Sequence, residues 1–385
     1  MGRQGQTTTD LLFDARHIDQ SGIGTYISVQ LPRLEEVLAR HHRTLTVLAD
    51  RRTAPTVGEN TRVVFAEPAD APMYSVQEQR AWDHALTATR PKAMWVPHYP
   101  FPFALLRRAN RGTLSFATVH DDNHLLPAGI SGQGPARRLY ARTMLEIDAR
   151  RCATIFTPSQ AAADALAKIA LPKIAPAAQF TVTPIPVSER WLAPVDPRLS
   201  PVPGPFILYL GNVKRHKNLL ALLNAFGQVR QDIPHKLVIA GSGASVTMLD
   251  ERVHDLATSL GERAQMIGRL EFDELHALVA AADLLVMPSF NEGAGLPPLE
   301  AMASGTAVIA SDIPSLRETC GPGADYFDPH DHQALGRLIL HYCRDDAALA
   351  ELASRGRDHV RQRQSRISTT AAADTICHYL DQQRQ

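Results

Sequence analysis

What this sequence of 385 residues lacks already excludes several classes of protein. No apolar stretch approaches the roughly 18 residues that a membrane-spanning helix requires. The first ten residues have no apolar core of the kind that signal peptides carry. The chain has four cysteines, and the spacings between them are not those of a metal site. These absences predict a cytoplasmic protein whose thiols are reduced.

A net charge is also missing, because 40 Lys and Arg residues balance 40 Asp and Glu residues. The balance is nevertheless uneven along the chain. Residues 1–200 carry 23 basic against 18 acidic residues, and residues 201–385 carry 17 against 22. A basic first half suits an anionic acceptor or contact with the surface of a membrane, and an ordinary solvated surface is the alternative. Nucleic acid is not an expected partner.

The length is too great for one core and suits two α/β domains. Short apolar runs alternate with amphipathic segments, which predicts parallel sheets with crossover helices. The predicted strands are Leu11–Ala15, Leu45–Asp50, Arg62–Ala66, Ala93–Pro97, Leu114–His120, Ala153–Pro158, Phe206–Gly211, Lys236–Gly241, Ala264–Gly268, Ala282–Met287 and Thr306–Ser311.

A stiff linker is predicted between the two series of strands, because residues 184–205 contain seven prolines. The expected domains are 1–188 and 206–365, with the linker at 189–205. Residues 366–385 are expected to form a terminal helix.

The most informative stretch is residues 282–305. It predicts a strand, a glycine-rich loop from Phe290 to Gly295 and a helix from Leu296 to Ser304. A helix start after such a loop is suited to binding an anion. Two carboxylates, Glu292 and Glu300, stand in the same stretch, and an ionised carboxylate only accepts hydrogen bonds. An anion site combined with acceptors for hydroxyl groups indicates a nucleotide sugar.

A second loop, Asn212 to Asn218, lies between a predicted strand and a predicted helix. It is rich in basic residues, among them Arg215 and Lys217, and therefore suits a diphosphate. The metal-binding pattern Asp-x-Asp occurs nowhere in the sequence. We therefore expect no metal and no cofactor. We expect Lys217 and backbone amides to neutralise the negative charge of the diphosphate instead.

Two features of the first half of the chain also fit the hypothesis of a nucleotide-sugar site. Gly22 and Gly24 form a loop after the first strand, where glycines permit close approach to a ligand. His120 ends a predicted strand, where it could hydrogen-bond a sugar hydroxyl or developing charge. A merely structural turn and a structural histidine are the alternatives.

The run from Asn291 to Met302 resembles the Glu-x7-Glu signature of family 4 of the retaining glycosyltransferases. That family has the GT-B fold, in which two Rossmann-like, doubly wound α/β domains face each other across a cleft. The resemblance also implies that the terminal helix crosses back to the first domain. The family's usual Phe between the two loop glycines is Ala294 here, and many relatives have Arg in place of Asn212.

The resemblance assigns roles to particular residues. It implies catalytic roles for His120, Lys217 and Glu292. The donor site that it implies comprises Gly22, Gly24, Asn212, Arg215, Lys217, Arg269, Leu270, Glu292, Gly293, Ala294, Gly295, Leu296 and Glu300. The acceptor candidates are His98, Tyr99, Asp121, Asp122 and His124.

The expected function is metal-independent transfer of a hexose, with retention, from a nucleoside diphosphate sugar to an oligosaccharide that is free or lipid-linked. Phe13 to Arg16, with the loop at Gly22, is similar to bacterial mannosyltransferases of polysaccharide assembly. GDP-mannose is therefore the first expected donor and UDP-sugars the second. Glycoside hydrolysis, a nicotinamide dehydrogenase and an inactive sugar-nucleotide-binding protein are the alternatives. The dehydrogenase fingerprint would need a third glycine where this chain has Ile27.

Overall fold

The computed structural model describes residues 8–170, 180–241 and 251–383, so part of the N-terminal segment analysed above lies outside it. In chain order the strands are β1 Leu11–Asp14, β2 Leu45–Ala49, β3 Thr61–Phe65, β4 Ala93–Val96, β5 Leu114–Thr118, β6 Thr154–Thr157, β7 Phe180–Val182, β8 Phe206–Leu210, β9 Lys236–Ala240, β10 Ala264–Ile267, β11 Leu284–Met287, β12 Ala307–Ser311 and β13 Asp325–Phe327. The α-helices are α1 Ser21–Arg40, α2 Val76–Thr89, α3 Ala128–Ser131, α4 Pro135–Arg151, α5 Gln160–Ala170, α6 Glu189–Leu192, α7 Leu219–Val229, α8 Glu251–Ser259, α9 Phe272–Ala281, α10 Leu296–Ser304, α11 Pro314–Cys320, α12 His332–Arg344, α13 Asp346–Arg366 and α14 Ala371–Gln382.

The chain forms two compact units. The first unit comprises residues 1–122, 136–185 and 368–385, and the second comprises 123–135 and 186–367. Residues 123–135, which the sequence placed in the first domain, therefore group with the second unit. The proline-rich residues 186–205 also belong to the second unit, and they include the short helix α6.

The first unit is built on a parallel sheet with the order β3-β2-β1-β4-β5-β6-β7 among the described residues. Its five central strands are almost wholly buried, as expected for a sheet covered on both faces, whereas the edge strands β3 and β7 are only partly buried. The Trp95 ring packs against Phe13 at 4.9 Å and against Phe156 at 5.1 Å, which joins three strands in one core. The terminal helix α14 packs in this unit, where Tyr379 donates a hydrogen bond to the carbonyl of Ala153.

The second unit has a parallel sheet with the order β10-β9-β8-β11-β12-β13 in the part of the chain that is described. Separate clusters of buried side chains pack on its two faces. In both units the strand order reverses at one point, between β1 and β4 and between β8 and β11. Ligands of open α/β sheets bind at the carboxyl ends of the strands beside such a reversal.

The strands predicted from apolar runs are all present, with ends that differ by a few residues. The sequence missed β7 and β13, which are three-residue edge strands with mixed burial and hence no apolar run. The prediction that the terminal helix begins at Arg366 was wrong. Helix α13 ends there, and α14 begins only at Ala371 because Ile367 is extended and residues 367–370 favour non-helical conformations.

No helix in the described ranges is both long and apolar enough to span a membrane.

One acidic side chain is buried in the first unit without a basic partner. Asp148 on α4 is 0% exposed, and its Oδ1 accepts only a weak hydrogen bond from Cys152 at 3.7 Å. Its Oδ2 atom has no hydrogen-bond partner in the structure. Burial raises the pKa of the Asp148 carboxyl to about 8, so the group is protonated in the folded protein at neutral pH.

Replacing Asp148 with Asn should therefore raise the melting temperature more at pH 8 than at pH 5. In the unfolded chain Asp148 ionises near pH 4, whereas in the folded chain it stays protonated to about pH 8. The contribution of Asp148 to the stability of the wild type consequently falls as pH rises between those values, and the variant lacks this contribution. Each kcal/mol should appear as about 2–4 °C in thermal unfolding. Asp164→Asn, on the exposed part of α5, should show no such trend. An equal effect of Asp148→Asn at both pH values would contradict the assignment.

Candidate active site

Two loops of the second unit meet at the reversal of strand order. One follows β8 and carries Lys217, and the other follows β11 and carries Glu292. The backbone N–H of Phe290 donates to the carbonyl of His216 at 2.8 Å, which ties the loops together. Residues that are 75 apart in sequence are therefore held side by side.

The loop after β8 turns sharply so that its lysine faces the second loop. Residues Arg215–Lys217 form a single 3₁₀ turn, and Asn218 adopts a left-handed conformation with φ of 52° before α7 begins. The Asn218 side chain donates to the carbonyl of Pro329 at 2.9 Å, which holds this unusual backbone in place. Lys217 is thereby fixed at the end of the turn rather than left as a solvated surface residue.

The ammonium of Lys217 forms an ion pair with both oxygens of Glu292, at 2.7 and 2.8 Å. The Ser289 hydroxyl donates to Glu292 Oε1 at 2.6 Å. The side chains of Lys217 and Glu292 are only 18% and 7% exposed. Because water is largely excluded, each charge depends on its partner. The pair also means that an incoming anion would bind to a lysine whose position is already set.

Helix α10 begins at the loop that carries Glu292, and its bounds, Leu296–Ser304, are those predicted from the sequence. Gly295 has φ of 59°, and a Cβ there would lie 2.8 Å from Leu316, so only glycine fits this close approach. Thr319 donates to the carbonyl of Ala294 at 3.0 Å. Pro297 and Pro298 carry no N–H, so the loop residues before them supply most of the amides available to an anion.

Glu300 lies on α10, about one turn after the start of the helix, and is partly exposed. The indole of Trp191, on α6, donates a hydrogen bond to its carboxyl group. Burial raises the pKa of Glu300 to about 7, and the Trp191 bond opposes this rise only in part. Glu300 is thus balanced between its neutral and ionised forms near neutral pH.

The remaining predicted donor residues are placed less specifically. The carbonyl of Asn212 accepts a hydrogen bond from the hydroxyl of Tyr209 at 2.9 Å. Arg215 is exposed, and its aliphatic part lies against Gly132. Arg269 is exposed at the carboxyl side of β10, and Leu270 packs against the core. Gly293 is buried beside Glu292.

In the first unit, both predicted glycines lie in the first turn of α1 rather than in the loop after β1, because the helix already begins at Ser21, and only one of them has to be glycine. A Cβ on Gly24 would lie 2.1 Å from the carbonyl oxygen of Ile18, so no other residue fits without a shift of the backbone. The N–H of Gly24 donates to the carbonyl of Gln20 at 2.6 Å, which closes the turn. Gly22 is exposed, and a Cβ on it would meet nothing within 4 Å.

His120 follows β5 and is held in one orientation. Its Nε2 lies 2.9 Å from the carbonyl oxygen of Pro97, which can only accept, so Nε2 carries the proton. The ring packs edge-on against Tyr26 at 4.9 Å. Burial lowers the pKa of His120, so the neutral ring offers Nδ1 as an acceptor.

The acceptor candidates differ in burial. His98, Tyr99 and Asp122 are 2%, 9% and 7% exposed, whereas Asp121 and His124 are partly exposed. His98 does not present its ring at the surface but bonds Glu78 Oε1 through Nε2 at 2.9 Å. His124 belongs to the second unit, and the other candidates belong to the first.

Glu78 is the centre of a buried group of charges beside the end of β1. Arg16 contacts Asp14 at 2.7 Å and Glu78 at 3.2 Å, and all three side chains are at most 2% exposed. Burial alone would raise the pKa of Glu78, but His98, His17 and Arg16 lower it to about 2. Glu78 is therefore ionised across the physiological range.

Ligand-type atoms of His17, Glu78 and His98 all lie within 4.8 Å of one another. Such a set could in principle hold a metal ion. The Arg16 guanidinium, however, lies 3.2 Å from the same Glu78 oxygen that a metal would need. Because Arg16 is positively charged, the group is better described as a buried ion pair than as a metal site.

Sequence reasoning missed several residues that shape these sites. Ser289 and Trp191 bond the two signature glutamates, and Glu78 organises the end of β1. Ser289 precedes Glu292 by only three residues, so its role could have been inferred from the local turn. Trp191 and Glu78 are distant in sequence from their partners, and no local pattern indicates them.

Among solved structures, the chain is similar to sucrose-phosphate synthase from Thermosynechococcus elongatus, with a TM-score of 0.75 and 20% identity, covering 97% of this chain and 98% of that one. It is also similar to Anabaena HepE in complex with UDP and glucose, with a TM-score of 0.70 and 17% identity, covering 97% and 100%. At such identities the likeness concerns the fold. Together with the two parallel-sheet α/β units, it defines a protein of the GT-B class.

Residues 196–359, which lie in the second unit, match the family described as glycosyl transferases group 1. The chain is 37% identical over 154 residues to the serotype-specific mannosyltransferase WbdA of Escherichia coli, covering 39% of this chain and 19% of WbdA. It is 29% identical over 198 residues to the O-antigen chain mannosyltransferase RfbU of Salmonella typhimurium, covering 51% and 53%. The matches thus span about half of RfbU and about a fifth of WbdA. The predicted resemblance to glycosyltransferases is confirmed.

Replacing Lys217 with Ala should destabilise the second unit more than removing the whole pair. The single change leaves a buried carboxylate without its cation, which typically costs about 3–5 kcal/mol. Lys217→Ala combined with Glu292→Gln should recover at least about 1 kcal/mol in urea unfolding. Lys214→Ala, at an exposed position of the same loop, should change stability by less than about 0.5 kcal/mol. Additive effects of the two changes would show that the ion pair contributes nothing.

Proposed function

We propose that the protein is a retaining, metal-independent glycosyltransferase. It transfers a hexose from a nucleoside diphosphate sugar to a hydroxyl of a saccharide, free or lipid-linked, in the synthesis of a cell-surface polysaccharide. The observation that carries this proposal is the buried contact between Lys217 and Glu292 in a glycosyl transferase group 1 domain. One site thereby combines a fixed cation for a diphosphate with an acceptor for sugar hydroxyls.

The chemistry follows from what each group can do. The bond from the anomeric carbon to the diphosphate breaks, and a bond from that carbon to the acceptor oxygen forms. The departing diphosphate oxygen takes the acceptor's proton, so no protein nucleophile is needed. Lys217 and the amides before α10 stabilise the negative charge as it develops, because they are oriented in advance. Glu292 accepts from hydroxyls of the transferred sugar, and Glu300 from those of the ribose.

His120 and the first turn of α1, which contains Gly24, act on the transferred sugar in this proposal. His120 is neutral, fixed by Pro97 and able to accept a hydrogen bond through Nδ1. It therefore suits a sugar hydroxyl better than a phosphate, which would favour a charged ring. The close packing of Gly24 against the carbonyl of Ile18 fixes the first turn of α1 on the loop that precedes it.

GDP-mannose is the proposed donor, supported by the two mannosyltransferase relatives. A UDP-sugar is the second candidate, because the structurally similar HepE is known in complex with UDP and with UDP-glucose. An inactive sugar-nucleotide-binding protein is the alternative of another class. It would bind the donor without releasing the diphosphate when acceptor is added.

We also propose that the protein works in the cytoplasm against the inner face of a membrane. Helix α4 supports this, because Leu139 is 67% exposed and the helix ends with Arg150 and Arg151. An exposed apolar side chain on a basic helix suits an anionic lipid surface. A lipid-linked acceptor would be met at that surface.

In a thermal-shift screen of UDP, GDP, ADP and dTDP without Mg²⁺, one diphosphate should raise the melting temperature. A ligand that binds only the folded state stabilises it by about 2.7 kcal/mol at a concentration of 100 times Kd. GDP is the expected ligand. Lys217→Ala should abolish the shift, whereas Lys214→Ala should keep it. If none of the four produced a shift, the assignment of the donor site would be wrong.

Binding of the nucleotide sugar should weaken as pH falls through 7. Glu300 has a pKa of about 7, and only its ionised form offers both oxygens as acceptors to the two ribose hydroxyls. The dissociation constant measured by calorimetry should therefore be about tenfold higher at pH 6 than at pH 8. A nucleotide sugar is the suitable ligand, because its diphosphate does not titrate in this range. Glu300→Gln should bind weakly at both pH values, and a wild-type affinity independent of pH would contradict this role.

A further inference from the structure

Two tyrosine rings pack together at the carboxyl edge of the sheet in the first unit. The ring centroids of Tyr74 and Tyr99 are 5.2 Å apart, with 39° between the planes. Tyr99 is 9% exposed and follows β4, whereas Tyr74 lies just before α2 and is 39% exposed. His98 packs edge-on against Tyr74 at 6.1 Å. Tyr74 is thus partly exposed, and two buried rings pack against its ring.

The backbone of Tyr74 is held in an unfavourable conformation. Its φ is 62°, in the left-handed region that bulky residues rarely adopt. The N–H of Tyr74 donates to Glu78 Oε2 at 2.8 Å. Glu78 is itself fixed by Arg16 and His98. Strain of this kind persists where the surroundings impose it, and it concentrates at functional sites.

A carboxylate completes the group. Asp121, which is partly exposed after β5, interacts with both tyrosines. Burial, with the charge of Asp121, raises the pKa of Tyr74 and of Tyr99, so both phenols remain protonated donors.

These groups match the surface of a pyranose. A sugar ring has an apolar face of C–H groups, which packs on an aromatic ring, and an edge of hydroxyls, which need acceptors and donors. An aromatic side chain offers a large, rigid contact area with a polar end. A carboxylate accepts from hydroxyls, and phenols both donate and accept. A phosphate or an acidic peptide would instead be repelled by Asp121.

We propose that Tyr74, supported by Tyr99, is the platform on which a sugar ring of the acceptor packs, with Asp121 accepting from its hydroxyls. Glu78 is a positioning residue, because it accepts a hydrogen bond from the backbone N–H of Tyr74 and does not itself contact the sugar. The inference rests on the proposed function, since it takes the acceptor to be a saccharide. It adds Tyr74 and Glu78 to the acceptor residues expected from the sequence.

Saturation-transfer NMR with α-mannotriose tests the platform directly. Saturating the aromatic resonances of the full-length protein should transfer signal to the ring protons of the sugar. Tyr74→Gly removes the ring and relieves the left-handed backbone, and it should reduce the transfer to less than half. Tyr74→Phe should retain the transfer. Phe180→Ala, a partly exposed aromatic position on the edge strand β7, should leave it unchanged.

A second variant keeps the test decisive if Tyr74→Gly folds poorly. Asp121→Asn should raise the dissociation constant for mannotriose several-fold, with the donor diphosphate shift preserved. Equal transfer in wild type and Tyr74→Gly would overturn the proposal. So would the absence of any transfer in wild-type protein that still shows the diphosphate shift. Transfer to mannotriose without any diphosphate shift would instead count against the transferase and leave the sugar platform supported.

Discussion

The ion pair between Lys217 and Glu292 is the contact on which the rest of the candidate active site depends. It joins the loops that follow two adjacent strands, β8 and β11, and it is largely removed from water. A buried charge without its partner is costly, so each loop holds the other in place. The Ser289 hydroxyl and the contact from Phe290 to His216 add to this constraint. In the proposed function, the stabilisation of a leaving diphosphate benefits from charges that are fixed before the reaction begins.

The first unit also has a buried ion pair at the point where the strand order of its sheet reverses. Its strand order reverses between β1 and β4, and there Glu78 is bound by Arg16 and His98. In the first unit these buried charged groups are not proposed to bind a ligand themselves. They hold the strained backbone of Tyr74 and so fix a ring that is open to solvent. In both units a buried carboxylate sets the position of a residue that is suited to contact a substrate.

Much of the fold could be predicted because its signals are local. The strands are apolar runs of five residues or so, and α10 is bounded by two glycines and begins with two prolines. The short edge strands β7 and β13 lack such a signal, since edge positions are only partly buried. Glu292 and Lys217 were found from their loops, but their contact was not. Trp191 and Glu78 were missed because their partners are distant in sequence.

By itself, the sequence determined the class of fold, the glycine-rich loop with its two glutamates and the basic loop before α7. Each of these depends on neighbouring residues along the chain, whose chemistry can be read directly. Only the tertiary structure decided that Lys217 pairs with Glu292, that His98 is buried and that Tyr74 is exposed. Burial and charge pairing depend on which strands become neighbours. That order is set by packing of the whole domain, not by any one segment.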